Sequence, residues 1–388
     1  MTSTAFNAYL SECRQLTLRE IEEIIPRDRR YRSLLYDLML DYPLRAAKAL
    51  RPALCIATCR ALGGWLEAVL RSAAVLELYH NAFLIHDDVE DGSEHRRGLP
   101  TLHTRYGTPT AVNVGDAMLA LALQPLLDNM RLIGLGKALR IMQVIARMSR
   151  ESTEGQAIEL EWIRDEAWQL ADADYVRMVY KKTSWYTFIS PMLMGGIVAG
   201  ASPERLVALR KFAALLGIAF QIQDDVLNLT AEGDAYGKEV AGDLWEGKRT
   251  LILLHAVRCA GASERDHAKE ILGKPRPQVG LQEPPRLDAV RTAIHAVHQQ
   301  GDLTASGRQA LERALETTSG GHGVKTGADV QYLLALIART HSIDYARAVA
   351  QRYARKAAAL LEATACLLPS VHRDFLEGLV AFVIDRNR

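Results

Sequence analysis

From Ala68 to Ile85 the chain is mostly apolar, with no proline and no glycine, and it then runs into Asp87, Asp88, Glu90 and Asp91 before Gly92. That pattern predicts a buried helix, long enough at about 1.5 Å per residue to cross a small domain, with the glycine as its stop. Asp87 and Asp91 are four apart and so share one face. The carbonyl end of a helix is its negative end, and carboxylates there are disfavoured by roughly 0.3–1 kcal/mol each. Something positive has to offset that, and the spacing suits a bound cation.

The same signature recurs. Glu204 to Leu229 reads as a second long helix, with Leu209, Phe212, Leu216, Phe220 and Leu227 as its core stripe. Gln221, Asp224, Asp225 and Asn228 gather on another face near its C-terminal end. Strand signals are nearly absent, with no sustained alternation and no Asn-Gly turn, so the fold class is all-α. Helices are expected over 7–40, over 107–150 with a break near Gly134-Leu135-Gly136, through Ser149–Trp162, from Asp329 to Ala365 and over Phe375–Ile384. In Ser149–Trp162 the acids Glu151, Glu154, Glu159 and Glu161 fall mostly on a polar face. Proline and glycine crowd residues 273–287 and 317–328, which predicts a loop-rich surface excursion over 273–328 in a single domain spanning 1–388.

Bulk properties exclude several classes. With 388 residues, 49% of them hydrophobic, the chain can bury a large core, and a net charge of +1 gives no global field for nucleic acid or an anionic membrane. The longest uncharged apolar stretches, such as Pro191–Ala201, are too short and glycine-rich to span a bilayer. The first residues lack a signal-peptide layout, and five cysteines without a Cys-x-x-Cys pair fit reduced thiols in a cytoplasm.

Anion binding must therefore come from local clusters. Lys48 and Arg51 precede a helix that Pro52 is suited to open, a position where anions bind well. Arg96 and Arg97 form a tight basic loop with Gly98 and Pro100. Lys182 and Thr183 adjoin a buried segment, and Lys238 and Lys248 lie in a glycine-flanked loop. These bases flank the acidic helix ends. Two carboxylate clusters without nearby cysteines favour a hard cation held by oxygen, and Mg²⁺ prefers few carboxylates plus phosphate oxygens. A metal-bound anion follows, and two sets of bases point to two anionic groups. No Walker-type loop or Gly-x-Gly-x-x-Gly is present, which disfavours nucleotides.

Taken in order, Lys48-Ala-Leu-Arg51-Pro52, Glu77-Leu-Tyr-His80, Asp87-Asp88-x-x-Asp91, Arg96-Arg97-Gly98-x-Pro100, Lys182-Thr183, Phe220-Gln221-x-x-Asp224-Asp225, Gly237-Lys238 and Gly247-Lys248-x-Thr250 resemble the trans-isoprenyl diphosphate synthases. The likeness runs from about residue 42 to 255, with a looser echo at Ile343-Asp344-Tyr345-Ala346-Arg347. It implies an isoprenoid-synthase helical bundle around a central apolar cavity, a homodimer, and Mg²⁺-assisted loss of diphosphate from an allylic substrate. The allylic cation is then attacked by isopentenyl diphosphate. By the resemblance, Asp87, Asp91 and Asp224 are Mg²⁺ ligands supported by Asp88 and Asp225. Lys48, Arg51, His80 and Arg97 hold isopentenyl diphosphate. Arg96, Lys182, Thr183, Gln221, Lys238 and Lys248 face the allylic substrate or its leaving group.

Two departures stand out: Ala47 replaces a usual glycine, and Asn228 replaces the last aspartate of the second motif. In the family the growing tail runs beside the helix before the first Asp motif. There Ala82 leaves room, Phe83 lies near, and Tyr79, about 12 Å up the axis from Asp87, is a candidate floor. The expected product is geranylgeranyl diphosphate (C20), with C15 next. Two rivals carry their own signals. Glu77-x-x-His80 and Glu264-x-x-His267 match the ligand spacing of di-iron helical bundles. A class I terpene cyclase shares the expected fold but needs no second diphosphate.

Overall fold

The computed structural model describes residues 1–230, 241–276, 285–318, 324–363 and 367–384. Helix α1 (Ser3–Ile24) starts at Thr2, whose side chain accepts the Ala5 N–H at 3.3 Å, and buries a stripe including Phe6, Leu10, Cys13 and Ile21. A short π-helical turn, Arg32–Tyr36, leads into α2 (Asp37–Leu44). Pro52 lies in the first turn of α3 (Leu50–Ala61), as expected, and Ala49 before it takes a left-handed φ of +48°. Helix α4 (Leu66–Glu90) is the long apolar run; it is buried along most of its length and is flanked by α1, α3 and α6 (Thr108–Leu121).

After α4 the structure departs from a strand-free reading. His95–Arg96 (β1) pairs antiparallel with Leu99–Pro100 (β2), and Arg97 and Gly98 both have positive φ, 54° and 75°. That is the turn a tight hairpin requires. Two-residue strands are too short to produce an alternating pattern. Helices α5 (Leu102–Tyr106), α6, α7 (Leu123–Asp128) and α8 (Met130–Ile133) follow, with interruptions at Ala122 and Asn129 in addition to the one at Gly134. Helix α9 (Leu135–Arg164) then runs unbroken. Thr108–Ile133 and Pro203–Thr230 are both apolar and long enough to cross a membrane by length and composition, contrary to the expectation from uncharged stretches alone.

Helix α10 (Asp172–Val179) continues through a second π-helical segment, Tyr180–Ile189, into α11 (Ser190–Ala199). Helix α12 (Pro203–Thr230) is the second expected long helix and packs along α19 (Ser342–Ala363) and the π segment. Between these come α13 (Gly242–Glu246), α14 (Leu251–Cys259), α15 (Ala262–Gly273), α16 (Pro285–Gln299), α17 (Ala305–Thr318) and α18 (Gly327–Arg339). Helix α20 (Val371–Ile384) closes the described chain. The excursion expected over 273–328 contains α16 and α17, which pack chiefly on each other.

Two apolar clusters make the interior. One joins α1, α3, α4, α9 and α11; the other joins α10, α14, α15 and α18. Helix α12 runs through both, with Leu216 and Ala219 in the first and Ile222 and Val226 in the second. Its C-terminal acids therefore emerge deep inside the fold.

Candidate active site

The two acidic helix ends each pair a buried, hydrogen-bonded carboxylate with a neighbour that lines a cavity; Asp88 is shut off from that cavity, whereas Asp225 also borders it. On α4, Asp88 is fully buried and accepts hydrogen bonds from Tyr42 Oη at 2.5 Å and Arg96 Nε at 2.9 Å, with a further ion pair to Arg96 Nη2. The hairpin that delivers Arg96 is itself pinned by Arg45, which donates to the carbonyls of Arg96 at 2.8 Å and Pro100 at 2.7 Å. On α12, Asp225 accepts from Tyr175 Oη at 2.6 Å and Gln221 Nε2 at 2.8 Å. Burial, with Asp243 alongside, pushes the Asp225 carboxyl well above the usual range.

Asp87, Asp91 and Asp224 line the cavity, of about 300 Å³, between these ends. Burial pushes the Asp87 carboxyl up to about 6, with the Lys182 ammonium pulling against it. Cations already sit among the acids. Lys248 Nζ lies 2.9 Å from Asp91 Oδ2 and 2.5 Å from Glu246 Oε2. Burial opposes the Lys248 charge, yet Asp91 and then Glu246 hold its pKa well above the ordinary lysine value. Lys182 pairs with Glu159. Its backbone is carried by the π segment, which fits only because two glycines face it. A Cβ on Gly155 of α9 would lie 2.3 Å from Lys182 N, and one on Gly217 of α12 would lie 2.6 Å from Ser184 Oγ. A π turn at a functional site is a recurrent device, and here it aims Lys182 inward while Lys181 turns to Glu151 at 2.8 Å.

Arg51, His80 and Arg97 line the same cavity. The Arg51 guanidinium lies 4.4 Å from the Tyr186 ring centroid and donates to Thr187 Oγ1 at 2.8 Å. Arg97 donates to the Tyr42 carbonyl at 2.9 Å. Leu84, Met178, Val179, Tyr186 and Phe220 supply the apolar part of the lining. Beyond Tyr186 comes Phe83 at 5.8 Å and then Tyr79 at 6.0 Å between ring centroids, a file of rings leading away from the cavity.

Most of the residues singled out in the sequence therefore meet in one place, including Thr183, which donates to Gln221 Oε1 at 2.8 Å. Several expectations need correction. Arg96 borders the cavity, but its guanidinium is committed to Asp88, because a fully buried carboxylate needs a charged partner. Lys48 is exposed, 5.0 Å from the Phe382 ring, and is not in the lining. Glu151 and Glu159 are buried partners of the paired lysines, not members of a solvated face. Neither Phe83 nor Tyr79 borders the cavity, and Tyr79 lies one ring further from Tyr186 than Phe83 does. Lys238 lies outside the described residues. The second Glu-x-x-His copy is spent on the surface, with Glu264 paired to Arg339 at 2.6 Å, so it does not face Glu77 and His80. The four described cysteines, Cys13, Cys55, Cys59 and Cys259, are free thiols.

Sequence reasoning missed Asp243, which lines the cavity beside Asn228. Asn228 Oδ1 accepts the Asp243 N–H at 3.2 Å and its carbonyl accepts Ala241 N–H at 2.9 Å. The neutral side chain at the departure from the usual motif thus anchors the start of α13, and Asp243 brings a carboxylate to the same spot. Its only sequence signal is an acid soon after a glycine-rich loop.

Comparison with known proteins agrees with this geometry. The model of the polyprenyl synthetase family matches residues 33–283. The short chain isoprenyl diphosphate synthase of Methanocaldococcus jannaschii is 35% identical over 239 residues, 62% of this chain and 71% of that protein. The octaprenyl diphosphate synthase of Escherichia coli is 31% identical over 342 residues, 88% of this chain and 86% of that one. Among solved structures, polyprenyl synthase from Caulobacter crescentus CB15, complexed with calcium and isoprenyl diphosphate, superposes with a TM-score of 0.75 at 26% identity. It covers 100% of this chain and 98% of its own.

Proposed function

The chain belongs to the polyprenyl synthetase family and is a chain-elongating trans-prenyltransferase, and from that premise we propose how its own residues divide the work. The substrates are isopentenyl diphosphate and an allylic diphosphate, the ion is Mg²⁺, and the product is C20 with C15 next. One observation carries the assignment. The carboxylates of two acidic helix ends, steadied by the hydrogen-bonded Asp88 and Asp225, line one cavity that also holds lysines, arginines and apolar side chains.

The donor set fits a hard divalent cation. Asp87, Asp91, Asp224 and Asp243 offer oxygen only, and the Lys248 ammonium on Asp91 marks this as a place that stabilises positive charge. Mg²⁺ is held by few carboxylates together with water and phosphate oxygens, which suits acids that share a cavity with phosphate-binding bases. When bound, the cation would neutralise charge growing on the departing diphosphate.

Lys182 and Lys248 are placed to meet that same charge, and each must exchange a carboxylate, Glu159 or Asp91, for a phosphate oxygen. Thr183 and Gln221 orient the diphosphate end from the α12 side. Arg51, His80 and Arg97, which line the same cavity, hold isopentenyl diphosphate. Tyr186, Phe220 and Leu84 keep water away from the allylic cation. The tail then meets Tyr186 and Phe83 first, which supports a short product.

The chain acts as one domain and as a homodimer. The partly buried Thr108–Ile133 run and the start of α9 leave Leu123, Leu132, Leu135 and Leu139 exposed, Leu132 and Leu135 to 62% and 61%. Such a strip is unfavourable in water and fits a second copy. The test of the reaction is incubation with Mg²⁺, isopentenyl diphosphate and each allylic diphosphate in turn, with products sized by chromatography. A C20 ceiling is expected, and hydrocarbon released from an allylic diphosphate alone would point to a cyclase.

A further inference from the structure

Lys325 is the unusual residue outside the site: a lysine only 2% exposed, in the stretch where the 273–328 excursion returns to the body of the protein. Its Nζ donates to the carbonyls of Leu244 and Trp245, both at 2.8 Å. Those carbonyls belong to the end of α13, a five-residue helix too short to be stable alone, whose last carbonyls need donors. The two feet of the excursion are joined at this point. Lys325 N–H donates to Pro275 O at 2.9 Å, and Lys274 Nζ pairs with Asp329 at 2.9 Å. From the outgoing foot Arg276 Nη1 reaches Glu246 Oε1 at 3.4 Å. The other oxygen of Glu246 holds Lys248, which enters the cavity and meets Asp91.

Gly247, between α13 and Lys248, has φ +69°, and a Cβ there would lie 2.9 Å from Leu272 O. The turn is therefore pressed against α15 on one side and capped by Lys325 on the other. Locally the Gly247 N–H reaches Leu244 O only at 3.3 Å and the Lys248 N–H goes to Asp243 O at 2.9 Å, so the 2.8 Å donors to Leu244 O and Trp245 O come from Lys325. A buried ammonium gives up its hydration, so the contacts it makes have to offset that loss.

We propose that Lys325 and Arg276 are positioning residues, by which the junction of the excursion fixes the end of α13 and so sets Lys248 against the allylic diphosphate. The proposal rests on the reading of Lys248 as an allylic-site residue. It gives the excursion's feet a part in the reaction, although neither Lys325 nor Arg276 lines the cavity.

Steady-state kinetics of the full-length enzyme test it. Lys325→Met should raise the KM for the allylic diphosphate about tenfold and leave that for isopentenyl diphosphate within about twofold; Arg276→Gln should do the same more weakly. Because Lys325 acts through Lys248, adding Lys325→Met to Lys248→Ala should bring no further rise. Equal rises in both KM values, an unchanged allylic KM, or losses that simply multiply in the double variant would overturn the clamp. If Lys325→Met does not fold, Arg276→Gln alone and combined with Lys248→Ala carries the same comparison. An unchanged allylic KM in Lys248→Ala would sink the reading of Lys248 and the clamp with it, whereas a raised one beside a normal Lys325→Met sinks the clamp alone.

Discussion

Replacing Asp88 by asparagine should damage the scaffold more than any change at the cavity-facing acids. Asp88 is fully buried against Arg96 and Tyr42, and the substitution leaves the Arg96 guanidinium in the interior without its counter-charge. Breaking such a pair costs about 3–5 kcal/mol. Unfolding entropy near 2.1 cal/mol/K per residue gives about 0.8 kcal/mol/K for a chain of this length, so the melting temperature should fall by about 4–6 °C. Asp224→Asn should behave oppositely. It faces the cavity, so its melting temperature should stay within about 1 °C of wild type, while coupling falls by about a hundredfold or more. Exchanging both partners, Asp88→Leu with Arg96→Met, should recover most of the lost stability. Thermal denaturation of the metal-free proteins, followed by circular dichroism beside the coupling rate with Mg²⁺, separates the two cases. An Asp88→Asn protein that melts like wild type yet loses as much activity as Asp224→Asn would refute the division into bracing and ligand-facing carboxylates.

Three further outcomes follow from the same contacts. Burial, with Arg249 and Arg276 nearby and Asp329 and Glu246 opposing them, lowers the Lys325 pKa from 10.5 to about 8. Below about 8 folded and unfolded chains both hold the proton; between about 8 and 10.5 the unfolded chain holds more, so stability relative to Lys325→Met should rise with pH by about 3 kcal/mol across that window, as read by denaturant titration. Phe83→Ala should lengthen the product beyond C20, whereas Tyr79→Ala should do so only when Phe83 is also removed; product chromatography decides, and lengthening by Tyr79→Ala alone would contradict the order of the rings. Gly155→Ala would place a Cβ 2.3 Å from Lys182 N, so the π segment must shift; a loss of about 1–3 kcal/mol and a raised allylic KM are expected, and a neutral variant would mean the close approach is not needed.

Both long helices are readable from their apolar runs, and the misplaced acids at their ends identify the site because the helix dipole disfavours them there. The division of labour between adjacent acids is not readable. Asp87 and Asp88 differ by about 100° around the helix, and the choice of which is buried is made by Tyr42 and Arg96, which lie on other elements. Glu151 and Glu159 look like a solvated face along α9 until the π segment sets Lys181 and Lys182 against them. Lys48 has the right spacing from Arg51 but turns outward to Phe382. Asn228 stands in the sequence only as a departure from the second motif, while in the fold it holds the backbone of Asp243 and so brings another carboxylate to the cavity. In each case the missing information is a contact between residues on different elements, which the pattern within one helix does not encode.

The central claim, that two acidic helix ends drive prenyl coupling through a divalent cation, is tested most directly by label transfer from radioactive isopentenyl diphosphate into a longer allylic diphosphate. Wild type should incorporate label with Mg²⁺ and stop when EDTA is added, and Asp87→Ala and Asp224→Ala should each cut incorporation by at least about a hundredfold. Undiminished incorporation in either variant, or in EDTA, would contradict the account.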